Sequence, residues 1–304
     1  MQTTSHILMI RPVAFGFNAE TAVNNTFQQQ GNNADIQQKA AAEFDALVQQ
    51  LTDAGVDVTV VQDTPVPHTP DSIFPNNWIS FHSDGSIVLY PMFALNRRAE
   101  RKLHVMDAIS NKFSISNKID LSFHEHENRF LEGTGSMVLD RENRIAYACL
   151  SPRTDPDVFE TWCREMNYQS CEFLSTDESG TEIYHTNVMM CIAEQYAVIC
   201  LSCIRNEKER KHVADTIEKS GKKITDISYE QMNHFAGNML QVQNKSGKKF
   251  LVMSSQAYSS LTAEQVKELE SFNPIIHADL STIETSGGGS ARCMMAEVFL
   301  PMRN

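Results

Sequence analysis

The sequence lacks any apolar run of the roughly 18–20 residues that crosses a bilayer, and its opening segment, Met1 to His6, has neither the cationic stretch nor the apolar core of a secretory signal. A cytoplasmic protein with no membrane partner is the expectation. Cationic charge is also scarce: 26 Lys and Arg stand against 38 Asp and Glu, a formal charge of −12, and the pI is near 5.3. Displacing phosphate counterions needs clustered cations, so no nucleic-acid partner is expected and a small-molecule substrate fits better. The triple glycine Gly287 to Gly289 lacks the Gly-Lys-Ser/Thr ending of a phosphate loop. It suits instead a close approach of backbone to substrate, or a flexible lid. His124-Glu-His126-Glu has alternating ligands that would share a strand face, but zinc sites usually need further ligands at set spacing. Neither a metal nor another cofactor is expected.

What the chain does have is enough apolar material, 41% of 304 residues, to bury a substantial core, and no low-complexity linker divides it, so residues 1–304 read as one domain. Most of its seven cysteines, among them Cys149, Cys191, Cys200 and Cys203, lie in apolar strand-like runs and read as reduced, buried thiols.

The strands repeat. Four segments share one grammar of polar or small residues, an apolar strand, a turn and a returning strand. The first runs from Phe74-Pro-Asn-Asn-Trp to Phe81, turns at Asp84-Gly85 and returns through Ile87 to Tyr90. The second runs from Glu132-Gly-Thr-Gly-Ser to Leu139 and returns through Ile145 to Leu150; the third runs from His185-Thr-Asn to Met190 and returns through Tyr196 to Leu201. A fourth runs from His234 to Val242 and returns through Phe250 to Met253. The fifth, Ser290 to Leu300, is a single strand, and its missing partner is available in the apolar strand His6 to Arg11. Pairing of the two termini would close a ring and remove an exposed sheet edge. Helical patterns lie between the strands: Ile36 to Leu51 with Gly55 as stop, then about 95–112, 156–168, 207–220 and 263–272. Asp155-Pro156 opens the third, and Thr262 with Gln265 makes a capping box for the fifth. The expected architecture is an α/β propeller of five strand-hairpin-helix modules.

In such a ring the beginnings of equivalent strands face one axis, so residues distant in sequence converge there. At those positions stand Asn76 and Asn77, Glu132, His185 with Asn187, Asn238, and Cys293. A thiol, an imidazole and a carboxylate are a nucleophile, an acid/base and its orienting group, the parts of covalent catalysis. Each has a plainer reading alone: Cys293 beside Met294 and Met295 as a core thiol, His185 as a strand-end histidine, Glu132 as a solvated carboxylate. Asn238 reads equally as structural, and Asp71, after Pro70, reads equally as a turn residue or as a holder of a substrate amino group.

With these motifs in this order the chain resembles the amidinotransferase and arginine-deiminase superfamily of guanidine-modifying enzymes, whose fold is a pseudo-fivefold α/β propeller, or pentein. The resemblance spans essentially the whole chain and is nearest to the citrulline-utilisation hydrolase branch, through the Ile-Arg-Pro start, Phe-Pro-Asn-Asn-Trp, Leu-Glu-Gly-Thr-Gly-Ser, His-Thr-Asn and the glycine-rich approach to the C-terminal cysteine. It implies that Cys293 is the nucleophile, His185 the catalytic histidine and Glu132 the glutamate of the Glu-Gly-Gly-Asp motif. It further implies that Arg153, in Leu150-Ser-Pro-Arg-Thr, grips a substrate carboxylate.

Arginine deiminases hold the cationic guanidinium with two aspartates; here Asn77 and Asn187 occupy those places. An amide supplies donor and acceptor and suits a neutral ureido group, whereas an aspartate pair suits a cation. The expected activity is therefore hydrolysis of citrulline to ornithine, carbon dioxide and ammonia through a cysteine-bound intermediate. The alternatives are an arginine deiminase, a dimethylarginine hydrolase, an amidinotransferase, or a non-catalytic binding protein of the same fold. A homo-oligomer is compatible with all of them.

Overall fold

The computed structural model describes residues 1–30 and 35–303. Among them are five three-stranded sheets of one topology: an antiparallel hairpin whose second strand pairs in parallel with a third. The sheets comprise Ile79–Phe81, Ser86–Leu89 and Asn117–Asp120; Val138–Asp140, Ile145–Cys149 and Gln169–Phe173; Met190–Ile192, Tyr196–Ile199 and Lys223–Asp226; and Leu240–Gln243, Lys249–Ser254 and Ile275–Ala278. The fifth joins the two ends of the chain, with Ala296–Glu297 antiparallel to His6–Arg11 in the register Ile7 opposite Glu297, and His6–Arg11 parallel to Asp57–Gln62. The pairing of the terminal strands is thus present, and the fold is mixed α/β with five equivalent sheets, consistent with a pseudo-fivefold arrangement.

The third strand of each sheet is an addition to the module read from sequence. Its physical reason is burial. The middle strands Ile145–Cys149 and Tyr196–Ile199 are buried along their whole length and read as apolar runs, while Asn117–Asp120, Gln169–Phe173 and Lys223–Asp226 are edges that each leave two or more residues exposed. Polar, charged edges discourage pairing with another chain but carry little hydrophobic signal.

The parallel crossovers are helices. Ile36–Asp53 buries Ala40, Phe44, Leu47 and Leu51 on the predicted face. Asp155 accepts from the backbone of Asp157 and Val158 ahead of Pro156–Met166, and Thr262 and Gln265 form the expected box ahead of Ala263–Phe272. The helix expected over 95–112 is instead two, Leu95–Arg98 and Leu103–Ser110. The interruption turns Arg97, Glu100 and Lys102 inward, all buried, with Lys102 Nζ 2.5 Å from Asp63. His124 and His126 lie on a short 3-10 helix, Ser122–Glu127, not on a strand whose alternating ligands share one face. All seven cysteines are free and buried. Cys200 and Cys203 nonetheless bracket a single 3-10 turn at C-x-x-C spacing, which reading them as unrelated strand thiols passes over. Among the described residues no helix is long and apolar enough to cross a membrane.

Replacing Asp155 with Ala removes two bonds to helix-start amides that would otherwise lack partners. It is expected to destabilise the protein by about 1 kcal/mol, read from the midpoint shift in urea denaturation at constant m-value.

Candidate active site

The polar residues expected at strand beginnings sit one step earlier: in three sheets they lie on tight helical turns that lead into the first strand, while Asn238 and Cys293 lie in non-helical segments ahead of Leu240–Gln243 and Ala296–Glu297. Pro75–Asn77 precedes Ile79–Phe81; Gly133–Ser136, with Glu132 at its N-cap, precedes Val138–Asp140; and Thr186–Met189, with His185 at its N-cap, precedes Met190–Ile192. Successive turns are tied to each other. Ser136 Oγ accepts from Glu132 N at 2.8 Å and donates to Arg153 O at 2.7 Å, and Thr186 Oγ1 donates to Ser136 O at 2.6 Å. The two glycines of Glu-Gly-Thr-Gly are set by this crowding. Gly133 has φ +48°, and a Cβ there would lie 2.4 Å from Asn76 O; a Cβ on Gly135 would lie 2.2 Å from Asn77 Nδ2 and 2.9 Å from the His185 ring.

Cys293, His185, Asp71, Asn77 and Arg153 line one cavity of about 20 Å³, together with Arg97, Tyr184, Phe74, Thr21, Asn25 and Gly287 to Gly289. That is room for about one water. Glu132 and Asn187, also expected at the site, stand behind this wall. Glu132 Oε2 is 2.7 Å from His185 Nε2, and Asn187 Nδ2 is 3.4 Å from Cys293 Sγ. Asn238 joins them, its Nδ2 3.2 Å from the same sulfur and its Oδ1 accepting from Arg292 N at 3.0 Å. A backbone N–H only donates, so the Asn238 amide has to turn its NH2 to the sulfur. Arg292 itself does not face the thiol: its guanidinium bonds Met295 O and Glu297.

Electrostatically the site is a buried anion held by cations. Burial alone would raise the Glu132 carboxyl, but Arg153 at 3.4 Å, the His185 hydrogen bond and Arg97 together hold it well below the usual carboxylate range. Burial pushes His185 down to about 4 despite Glu132, so the imidazole is neutral near pH 7. Because a carboxylate only accepts, Nε2 carries the hydrogen and Nδ1 keeps its lone pair. Asp71 is raised by burial, with Arg97, Asn18 and Thr21 opposing; its Oδ2 accepts from Asn18 and Thr21 while Oδ1 has no partner.

Arg153 is more committed than a free carboxylate clamp. Its Nη1 faces Glu132, Nη2 donates to Thr21 O at 2.7 Å and to Asn24, Nε donates to Asn24 at 2.9 Å, and its guanidinium lies 4.8 Å over the Tyr184 ring. The segment Asn18 to Gln28 thereby straps over the cavity, with Gln28 and Asn25 donating to Ser286 O and Gly288 O. The triple glycine forms the facing wall, Gly287 and Gly289 packed on the Phe74 ring and Gly288 at φ +64° beside Asn25. Neither the strap nor Arg97 and Tyr184 is apparent from sequence. The strap has no apolar period, and Arg97 in Leu-Asn-Arg-Arg reads as a solvated helix face.

A buried thiol and a neutral imidazole backed by a carboxylate line one cavity in a chain of five like sheets, and the chain falls in the pentein amidinotransferase and arginine-deiminase superfamily. The family model for N,N dimethylarginine dimethylhydrolase, eukaryotic, matches residues 11–300, and the chain belongs to that family. Curated protein sequences give no match. Among solved structures, the fold is similar to the apo structure of ArgZ, an arginine dihydrolase from the ornithine-ammonia cycle in cyanobacteria, at TM-score 0.76 and 18% identity over 98% of this chain. This chain spans 41% of that protein's length. A substrate-bound mutant of the ArgZ N-terminal domain matches at TM-score 0.75 and 18% identity, over 97% of this chain and 98% of that one. A dimethylarginine dimethylaminohydrolase adduct with S-methyl-L-thiocitrulline matches at 0.65 and 12%, over 98% of this chain and 100% of that one.

The depressed histidine has a consequence for stability. Between 6.5, its ordinary value, and about 4, the unfolded chain binds a proton that native His185 does not, so stability falls as pH drops through that window. His82, buried and well below 6.5, adds to the slope, and Glu132 adds a further loss below its ordinary 4.5. Urea denaturation at pH 7 and pH 5 should show this loss, and His185→Gln should reduce but not abolish it.

Proposed function

We propose that the chain is a hydrolase that cleaves citrulline to ornithine, carbon dioxide and ammonia through a covalent bond to Cys293. What carries the reading is the company of the sulfur. Its side-chain hydrogen-bond partners among the described residues are the amides of Asn187 and Asn238, and Asp71 is the one carboxylate among the described residues that line the cavity. A buried guanidinium without matched counter-charges loses on the order of several kcal/mol. A ureido group is neutral and needs only donors and acceptors.

In the proposed mechanism Cys293 gives its proton to His185 Nδ1, and the resulting imidazolium is stabilised by Glu132, 2.7 Å from Nε2. The sulfur attacks the ureido carbon, forming a C–S bond, and His185 returns the proton to the departing nitrogen as the C–N bond breaks. Ammonia leaves. The product is an S-carbamoyl thioester bearing the ornithine side chain, and neutral His185 then takes a proton from water as it attacks the same carbon. Release of the thiol gives a carbamate, which loses carbon dioxide to leave ornithine. One water is consumed overall.

Asp71, with Oδ1 unpaired, would hold the substrate's ammonium, whose charge would draw the carboxyl back down. Arg153 would take the carboxylate by exchanging its bonds to Thr21 and Asn24, so the strap has to lift for substrate to enter. A cavity of about 20 Å³ admits no amino acid otherwise.

A second reading, a methylated arginine as substrate, is favoured by the family match over 11–300. Ammonia and methylamine release from citrulline, arginine, agmatine and methylated arginines decides between them. Ammonia from citrulline, reduced by roughly a thousandfold or more in Cys293→Ser, is the expected result. Turnover of arginine or a methylated arginine with citrulline untouched would overturn it.

A further inference from the structure

The Asn77 amide has a fixed direction, and a buried arginine fixes it. Arg97 is 2% exposed. Its Nε and Nη2 pair with the two oxygens of Glu100 at 2.8 and 3.0 Å, Nη2 also reaches Phe74 O at 3.2 Å, and Nη1 donates to Asn77 Oδ1 at 2.8 Å. A guanidinium has five donors and no acceptor, so of the two ends of the Asn77 amide only the oxygen can face it. The NH2 is thereby turned the other way, where Nδ2 is buried without a partner, beside Gly135 and the His185 ring in the wall of the cavity. An unpartnered buried donor on a residue that lines the cavity is costly to the empty protein and is satisfied by a ligand that brings an acceptor within reach.

We propose that Arg97 is a positioning residue that sets the substrate class by holding Asn77 as a hydrogen-bond donor toward the reacting carbon. The proposal rests on the ureido reading above and deepens it. A ureido group offers an oxygen to Asn77 Nδ2, and that oxygen gains negative charge when sulfur attacks, so the same donor stabilises the tetrahedral state more than the ground state. A guanidinium presents only N–H groups there, donor against donor. If the amide were free to rotate, Asn77 would present its oxygen and accept from a guanidinium equally well. The discrimination therefore lies in the restraint on Asn77 as much as in Asn77 itself. The buried Glu100 completes the device by occupying the other edge of the guanidinium, leaving Nη1 for the amide.

Two readouts test this. The first needs no substrate: in protein with 15N-labelled asparagine, the Asn77 side-chain NH2 should show a nuclear Overhauser contact to the Gly135 α-protons. The contact should persist in Arg97→Lys, which keeps a donor-only cation, and weaken in the neutral pair Arg97→Gln with Glu100→Gln. The second is the ratio of kcat/KM for citrulline over arginine. It should fall about tenfold or more in the double variant and be largely retained in Arg97→Lys, whereas a merely structural loss lowers both substrates alike. Asn77→Asp, which places an acceptor in the cavity without touching Arg97, should shift the ratio the same way, so the test survives if the double variant does not fold. An unchanged ratio in Asn77→Asp, or an Overhauser contact that is absent in the wild type or independent of Arg97, overturns the proposal. Should the wild type prefer arginine while the contact and its dependence on Arg97 hold, the citrulline reading fails and the amide restraint stands.

Discussion

The structure around the cavity depends on keeping one carboxylate, that of Glu132, ionised with none of its surface exposed to water. An anion in that position is tolerable only if cations and donors are built around it. The sequence supplies them from distant segments: Arg153 from the loop after one hairpin, His185 from the next module and Arg97 from the segment before Glu100. Each of these brings further partners. Arg153 ties down the strap through Thr21 and Asn24, and Arg97 brings Glu100 and fixes Asn77. The polar network is thus one object whose centre is the carboxylate behind the imidazole.

That centre also sets the resting protonation. With the carboxylate held ionised and the imidazole pushed down to about 4, the pair starts as anion and neutral base. Such a histidine can take a proton from a thiol and, once charged, is stabilised by a neighbour that was already charged. Burial keeps the imidazole neutral, and in the proposed mechanism Glu132 would make its transient charging less costly. The same burial makes the empty cavity small, and in the proposed reaction binding would be coupled to displacement of the strap from Arg153 through shared hydrogen-bond donors.

Much of this was legible in the sequence because the hairpins are apolar and buried on both faces. Ile145–Cys149 and Tyr196–Ile199 announce themselves, and their regular recurrence places Asn77, Glu132, His185 and Cys293 at equivalent points. The pairing of His6–Arg11 with Ala296–Glu297 follows from the same count, since one module lacks a strand and one strand lacks a module. What was not legible is polar. Several third strands, such as Asn117–Asp120 and Lys223–Asp226, are short and charged, the turns carrying Glu132 and His185 are too brief to have a period, and Arg97 looks like any surface arginine until Glu100 and Asn77 are seen around it. The division of labour at the site was also hidden. Sequence groups Asn187 with the wall of the cavity, whereas it touches the sulfur from behind, with Asn238 beside it.

The account stands on Cys293 forming a bond to the carbon that loses ammonia. Rapid acid quenching during turnover of citrulline, followed by peptide mass spectrometry, reads this directly. The expected result is an adduct equal to citrulline less ammonia, on the peptide containing Cys293 and on no peptide containing the other six cysteines. Ammonia release at full rate with no adduct in the quenched enzyme, and undiminished turnover in Cys293→Ser, would contradict it.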